Sequence, residues 1–189
     1  MELDPSTILR AQRGERAALL VVLRRYAGPL HAFVRRVAPG EDVEDRVQEL
    51  LSKLMTVLPR FALDGPASLS TWVFTVAHRW LLDDRKRRHL ALAPLDAGLE
   101  VADPGPSAFA QVASRQVEQQ LEQAIAALPD AQRRVFVLAH VHEHPLEEIA
   151  QVEGVPLGTV KSRLFRARAT LAARLGPLLD RPQGVPRAG

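Results

Sequence analysis

Residues Ala93 to Ser107 read APLDAGLEVADPGPS, and this stretch divides the rest of the chain in two. Its three prolines and two glycines, with no apolar periodicity, continue neither a helix nor a strand, so it reads as a linker. On both sides apolar residues recur at three- and four-residue spacing, and no run alternates as a half-buried strand does. The expected fold is all-α: two small helical domains joined by a flexible linker, the C-terminal one a helix-turn-helix. The expected boundaries are 1–92 and 112–176 for the domains, 93–111 for the linker, and 177–189 for a Pro/Gly-rich tail that frays from about Gly176.

The second block carries the sharper signals. Val117, Leu121, Ala124, Ile125 and Leu128 share a helical stripe, and Pro129 ends it. A second helix is expected from Asp130, as N-cap, burying Val135, Phe136, Leu138 and Ala139. A third follows Pro145 and buries Leu146, Ile149 and Ala150. In the stretch EGVP, Gly154 suits the left-handed residue that closes a helix, and Pro156 suits the start of the next. Two short helices around a tight glycine turn outline a helix-turn-helix.

The last helix raises a question of charge. Its core stripe is Val160, Leu164, Ala167, Leu171 and Leu175, while Thr159, Lys161, Ser162, Arg163, Arg166 and Arg168 occupy its other faces. From Pro156 to Arg174 there are one Lys and four Arg and no acid, a local charge of +5 in a chain whose net charge is only +3. A solvated helix gains from mixing signs four residues apart. This one accepts self-repulsion, which a phosphate backbone relieves, and in a helix-turn-helix the second helix enters the major groove.

Together these residues carry a family resemblance. LPDAQRRVFVLAHVHEHPLEEIAQVEGVPLGTVKSRLFRARATL, Leu128 to Leu171, resembles the fourth conserved region of bacterial sigma factors, in particular the extracytoplasmic-function group. EDVEDRVQELLSKLM, Glu41 to Met55, and SLSTWVFTVAHRWLLDDRKRR, Ser68 to Arg88, resemble that family's second region, in family order. The resemblance implies an alternative sigma factor that binds bacterial core RNA polymerase and directs promoter-specific initiation, is not an enzyme, and answers to an anti-sigma factor. It implies −35 element contacts from Thr159, Lys161, Ser162, Arg163, Arg166 and Arg168. It implies −10 contacts from Asp64, Ser68, Trp80, Arg85, Lys86, Arg87 and Arg88. It also implies docking on the clamp coiled coil of the polymerase's largest subunit through Asp42, Asp45, Gln48 and Glu49.

The residues themselves agree with that assignment. Glu41 to Glu49 hold five acids against Arg46, a local charge of −4 that repels DNA. Acids in a first helical turn also answer the helix dipole, and both roles are compatible, with Asp42 capping while Asp45 to Glu49 dock. RKRR, Arg85 to Arg88, suits DNA phosphates, whereas Trp72 shares a face with Val73, Val76, Ala77 and Trp80 and belongs to the core. Arg46, Ser52 and Arg79 replace the family's usual apolar residue, leucine and asparagine, and the loop Phe61–Trp72 is about two residues longer than usual.

Other chemistry is excluded or unsupported. The chain has no cysteine, hence no disulfide or thiolate metal site, which fits a reducing compartment. His140, His142 and His144 are expected to be exposed loop histidines rather than a metal or pH site, and His31, His78 and His89 are scattered. No phosphate loop, serine elbow or paired carboxylates appear, so no catalytic residue, cofactor or small-molecule substrate is expected. The apolar run Ala17–Leu23 is too short to span a bilayer, and a cytoplasmic protein with no membrane insertion is expected. Two other readings are a stand-alone helix-turn-helix regulator, which leaves the acidic patch unexplained, and a sigma mimic that sequesters an anti-sigma factor.

Overall fold

The computed structural model describes residues 3–40, 42–91 and 109–179, without the side chains of 88–91, 109–117 and 177–179. Glu41, most of the expected linker and the end of the chain lie outside the described residues, as does the Arg88 side chain.

Eight α-helices make up the described residues, with a 3-10 turn at Leu58–Arg60. They are α1 (Pro5–Gln12), α2 (Arg16–Val37), α3 (Val43–Val57), α4 (Leu69–Ala91), α5 (Phe109–Ala126), α6 (Asp130–His140), α7 (Leu146–Glu153) and α8 (Leu157–Leu179). The described residues thus form an all-α fold. The last helix runs through Gly176 to Leu179, past the point where fraying was expected.

The N-terminal unit forms because α2, α3 and α4 each carry an apolar stripe. Ala18, Val22, Tyr26, Leu30, Phe33 and Val34 supply it on α2, Val43, Val47, Leu50 and Leu54 on α3, and Val73, Phe74, Ala77 and Leu81 on α4. Each such Leu or Phe side chain, fully buried, contributes about 1.5–3 kcal/mol. Among the described residues, α2 is the one helix long and apolar enough by length and composition to cross a membrane, a property the short run Ala17–Leu23 did not reveal. Here its buried stripe is spent on neighbouring helices of the same chain.

Two polar ties fix the loop ahead of α4. Gln12 donates from Nε2 to the carbonyls of Leu58 (3.1 Å) and Phe61 (2.6 Å), holding α1 to the 3-10 turn. Phe61 is buried with its ring centroid 5.4 Å from that of Trp72, which is partly buried as expected of a core residue. Arg46, in place of an apolar residue, points inward: it donates to the carbonyl of Ala38 (2.7 Å) and pairs with Asp84 of α4 (3.4 Å) and Asp42 (3.3 Å). Asp42 precedes α3 but makes no side-chain capping bond, so its carboxylate serves Arg46 instead of the expected cap.

In the C-terminal unit Ala124, Ile125, Leu128, Ile149, Val152, Val160, Leu164, Ala167 and Leu171 form the core. Leu121 sits at its edge, 37% exposed. On α6 the register differs from expectation: Val137 is fully buried, whereas Phe136 is only partly so and lies 4.7 Å from the His140 ring. The helix packs against both α8 and α2, so it buries more than one face. Asp130 is its first residue, not its cap, which is Pro129.

The two units meet along a seam, α4 on α7 and α2 on α6 and α5. Phe74 of α4 lies 4.7 Å from the ring of His142 and 4.9 Å from that of His144, and Phe33 lies 5.9 Å from His142. His144 is buried and His142 half-buried, so the expectation of exposed loop histidines is wrong for both. Their loop turns them inward through Glu143, whose φ is +54°, and only His140 remains exposed.

Candidate nucleic-acid interface

Helix α7, the turn at Gly154 and helix α8 build the helix-turn-helix. Gly154 has φ +65° and donates to the α7 carbonyl of Gln151, ending that helix, while the Thr159 and Val160 amides bond the carbonyl of Pro156 and start the next. Val160, Leu164, Ala167 and Leu171 are buried and Leu175 is partly buried, so the opposite face of α8 is fixed outward.

That outward face sorts the six −35 candidates, of which Thr159, at the start of α8, is half-buried. Lys161 and Arg166 are exposed and carry no ion pair among the described residues. Arg163 is held back by the Glu153 carboxylate (3.2 Å), and Arg168 donates from Nε to Nε2 of His140 (3.1 Å). Burial, and then the Arg168 charge, lower the His140 pKa, which keeps its ring nitrogen free to accept. Ser162 is exposed and donates to the carbonyl of Thr159 (3.0 Å). Phe165, missed by the sequence reading, is 75% exposed between Lys161 and Ser162 on the wheel. Its signal was its position outside the core stripe, as the one large apolar side chain among outer residues that are polar or small.

The −10 candidates do not gather into one patch. Asp64 is exposed in the loop, and Ser68 sits at the start of α4, where its Oγ accepts from the Thr71 amide (3.1 Å) and bonds Thr71 Oγ1 (2.8 Å). Lys86 is exposed, Arg87 pairs with Asp84 of its own helix (3.6 Å), and Arg85 pairs with Asp130 of α6. Trp80 belongs elsewhere, lining an open groove with Asp45, Gln48, Glu49 and Lys53.

In that groove the docking candidates Asp45, Gln48 and Glu49 do come together. They are exposed along one face of α3, while Asp42 stands apart on Arg46. The exposed acids cannot attract a polyanion, and the bare cations of α8 can; the molecule therefore presents two surfaces of opposite charge preference on different units.

Comparison with known proteins bears on both surfaces. Residues 22–90 match the family "Sigma-70 region 2" and residues 118–171 match "Sigma-70, region 4". The chain is 30% identical over 192 residues to the RNA polymerase sigma-H factor of Pseudomonas aeruginosa, covering 94% of this chain and 96% of that one. It is 28% identical over 191 residues to the ECF RNA polymerase sigma-E factor of Escherichia coli K12, covering 94% and 97%. Among solved structures, the sigma factor RpoE in complex with the anti-sigma factor NepR from Bartonella quintana shares the fold, with a TM-score of 0.64, 24% identity, and 88% and 98% of the two chains covered.

Proposed function

Because the chain belongs to the extracytoplasmic-function sigma factors of the sigma-70 family, which direct transcription initiation and are not enzymes, we propose a division of labour between its two units. The N-terminal unit, 1–92, docks on core RNA polymerase through Asp45, Gln48 and Glu49 and recognises and melts the −10 element through the start of α4 and its basic end. The C-terminal unit, 112–176, reads the −35 element with α8, where Arg166 and Lys161 are the available donors and Phe165 offers an apolar contact to a thymine methyl. An anti-sigma factor holds it idle, a reading supported by the neighbour from Bartonella quintana, whose structure is a complex with an anti-sigma factor. The protein acts in the cytoplasm, where polymerase and promoter are.

The observation that carries this reading is the segregation of charge: exposed acids on α3, unpaired exposed cations on α8. A stand-alone regulator has no use for the first surface. The test is to add the purified protein to bacterial core RNA polymerase and map transcripts initiated on genomic DNA of the host. Discrete starts sharing two paired upstream elements are expected; stable core binding with no initiation would instead identify a sigma mimic. Asp45→Arg is expected to abolish core-dependent transcription while leaving −35 duplex binding unchanged, and full activity in that variant removes the docking assignment.

A further inference from the structure

Contacts across the seam reach one group assigned to the −10 strand, Arg85, and the immediate partner of another, Ser68. The Glu148 carboxylate of α7 accepts from Thr71 Oγ1, whose other bond is to Ser68, and Asp130 of α6 takes Arg85. Beside them Arg36 of α2 is engaged by Glu122 of α5 (2.6 Å). At Arg85 a carboxylate of one unit thus stands where a phosphate oxygen would stand, since both are oxygen acceptors for the same donor.

Histidines fill the middle of the same seam. His142 packs between Phe33 and Phe74, and its Nε2 is buried with no hydrogen-bond partner. The groups facing it are Arg36 from α2, with Glu122 of α5 on that arginine; uncharged Phe74 from α4; and His144 of its own loop, bonded to Glu148 of α7 (3.0 Å). Burial, then His144 and Arg36, oppose a charge on the ring and push its pKa down to about 4. His78 of α4 crosses the seam to Glu153 of α7 (3.3 Å), and Arg134 of α6, Arg163 of α8 and Arg79 of its own helix also act on it. Burial outweighs the attraction of Glu153 there, and the His78 pKa is lowered as well.

We propose that the seam is an autoinhibitory clasp, which holds the −10 surface of the N-terminal unit against carboxylates of the C-terminal unit and which acid releases. The clasp rests on the reading of Ser68 and Arg85 as −10 contacts. Its pH dependence follows from linkage: a histidine whose closed-state pKa lies below its free value of 6.5 takes up a proton on opening. Closure is at full strength above about pH 6.5 and is lost as pH falls toward about 4. From about pH 7.5 to about pH 5.5, His142 alone shifts the balance about tenfold toward the open form.

The absence of cysteine allows a direct test in the full chain. Dyes on Arg13→Cys and Ala172→Cys, both exposed positions on opposite units, report separation by energy transfer. A fluorescein-labelled pool of single-stranded DNA reports access to the −10 surface, and circular dichroism reports that the helices persist. Acidification is expected to separate the dyes and to strengthen strand binding, while His142→Phe, which keeps a ring in the seam but cannot take a proton, stays closed. Glu122→Lys is expected to separate the dyes at neutral pH without touching a histidine. An unchanged dye distance across the pH range in a helical protein overturns the clasp, and an equal change in His142→Phe overturns the histidine gate. Separation with no gain in strand binding overturns the −10 assignment of Ser68 and Arg85 and leaves the gate standing.

Discussion

Glu153 keeps only 1% of its side chain exposed, yet it meets Arg134 at 2.9 Å, Arg163 at 3.2 Å and His78 at 3.3 Å. Breaking such a buried cluster by removing its one acid leaves cations without a counter-charge, which costs about 3–5 kcal/mol. Glu153→Ala is therefore expected to lower the urea midpoint by that equivalent, and an unchanged midpoint would show the cluster to be energetically idle. On the recognition helix, Arg166→Ala is expected to weaken −35 binding by about 1–3 kcal/mol with selective loss at one base pair. Arg163→Ala, whose guanidinium is bound to Glu153, is expected to lower stability as well as binding; titration against single-base variants of the site separates the two. The sequence showed both arginines as members of one basic row and did not distinguish them. Nothing in the spacing of Glu147, Glu148 and Glu153 says which acid is buried either, because that depends on residues contributed by α4, α6 and α8. Arg46 was visible as an oddity, but its partner Asp84, 38 positions away, was not.

Elements were the most legible level. The stripe on α8 was read correctly because only one face of that helix is buried, so apolar period and packing coincide. The register of α6 slipped, Val137 taking the place expected of Phe136, because α6 answers to two neighbours and a single stripe cannot describe it. Asp130 looked like a cap for the usual reason, a short acid before an apolar run, but its carboxylate is taken by Arg85 and Arg133. The glycine turn was foreseen on chemistry that the structure repeats. A Cβ at Gly154 would meet nothing within 4 Å, so the penalty of Gly154→Ala is conformational alone, about 1 kcal/mol or slightly more. Thermal melting of the full chain checks this; a much larger loss would point to a contact that the open space around Gly154 does not contain.

At the scale of the whole molecule the sequence suggested two units and no more. Its linker reading separates them, and no apolar stripe marks the surfaces by which they touch, since much of the seam is histidine, carboxylate and arginine. Hydrophobic patterning has no means of announcing such a contact. If the seam holds in solution, the molecule has the radius of a single compact domain of its length, about 16 Å. Glu122→Lys replaces the partner of Arg36 with a like charge and is expected to raise the radius of gyration in small-angle scattering. Raised salt should do the same by screening the seam's more exposed pairs. A radius insensitive to both would mean that the apolar ring contacts alone keep the units together.

Helix α2, long and apolar enough by composition to enter a bilayer, also has a history during synthesis. It leaves the ribosome before the helices that cover it on its C-terminal side, and for that interval its apolar stripe lacks those neighbours. Its main covers, α1 and α3, are its immediate neighbours in sequence. The larger part of that interval therefore closes once α3 has emerged, and only the face turned to α4, α5 and α6 waits for later helices.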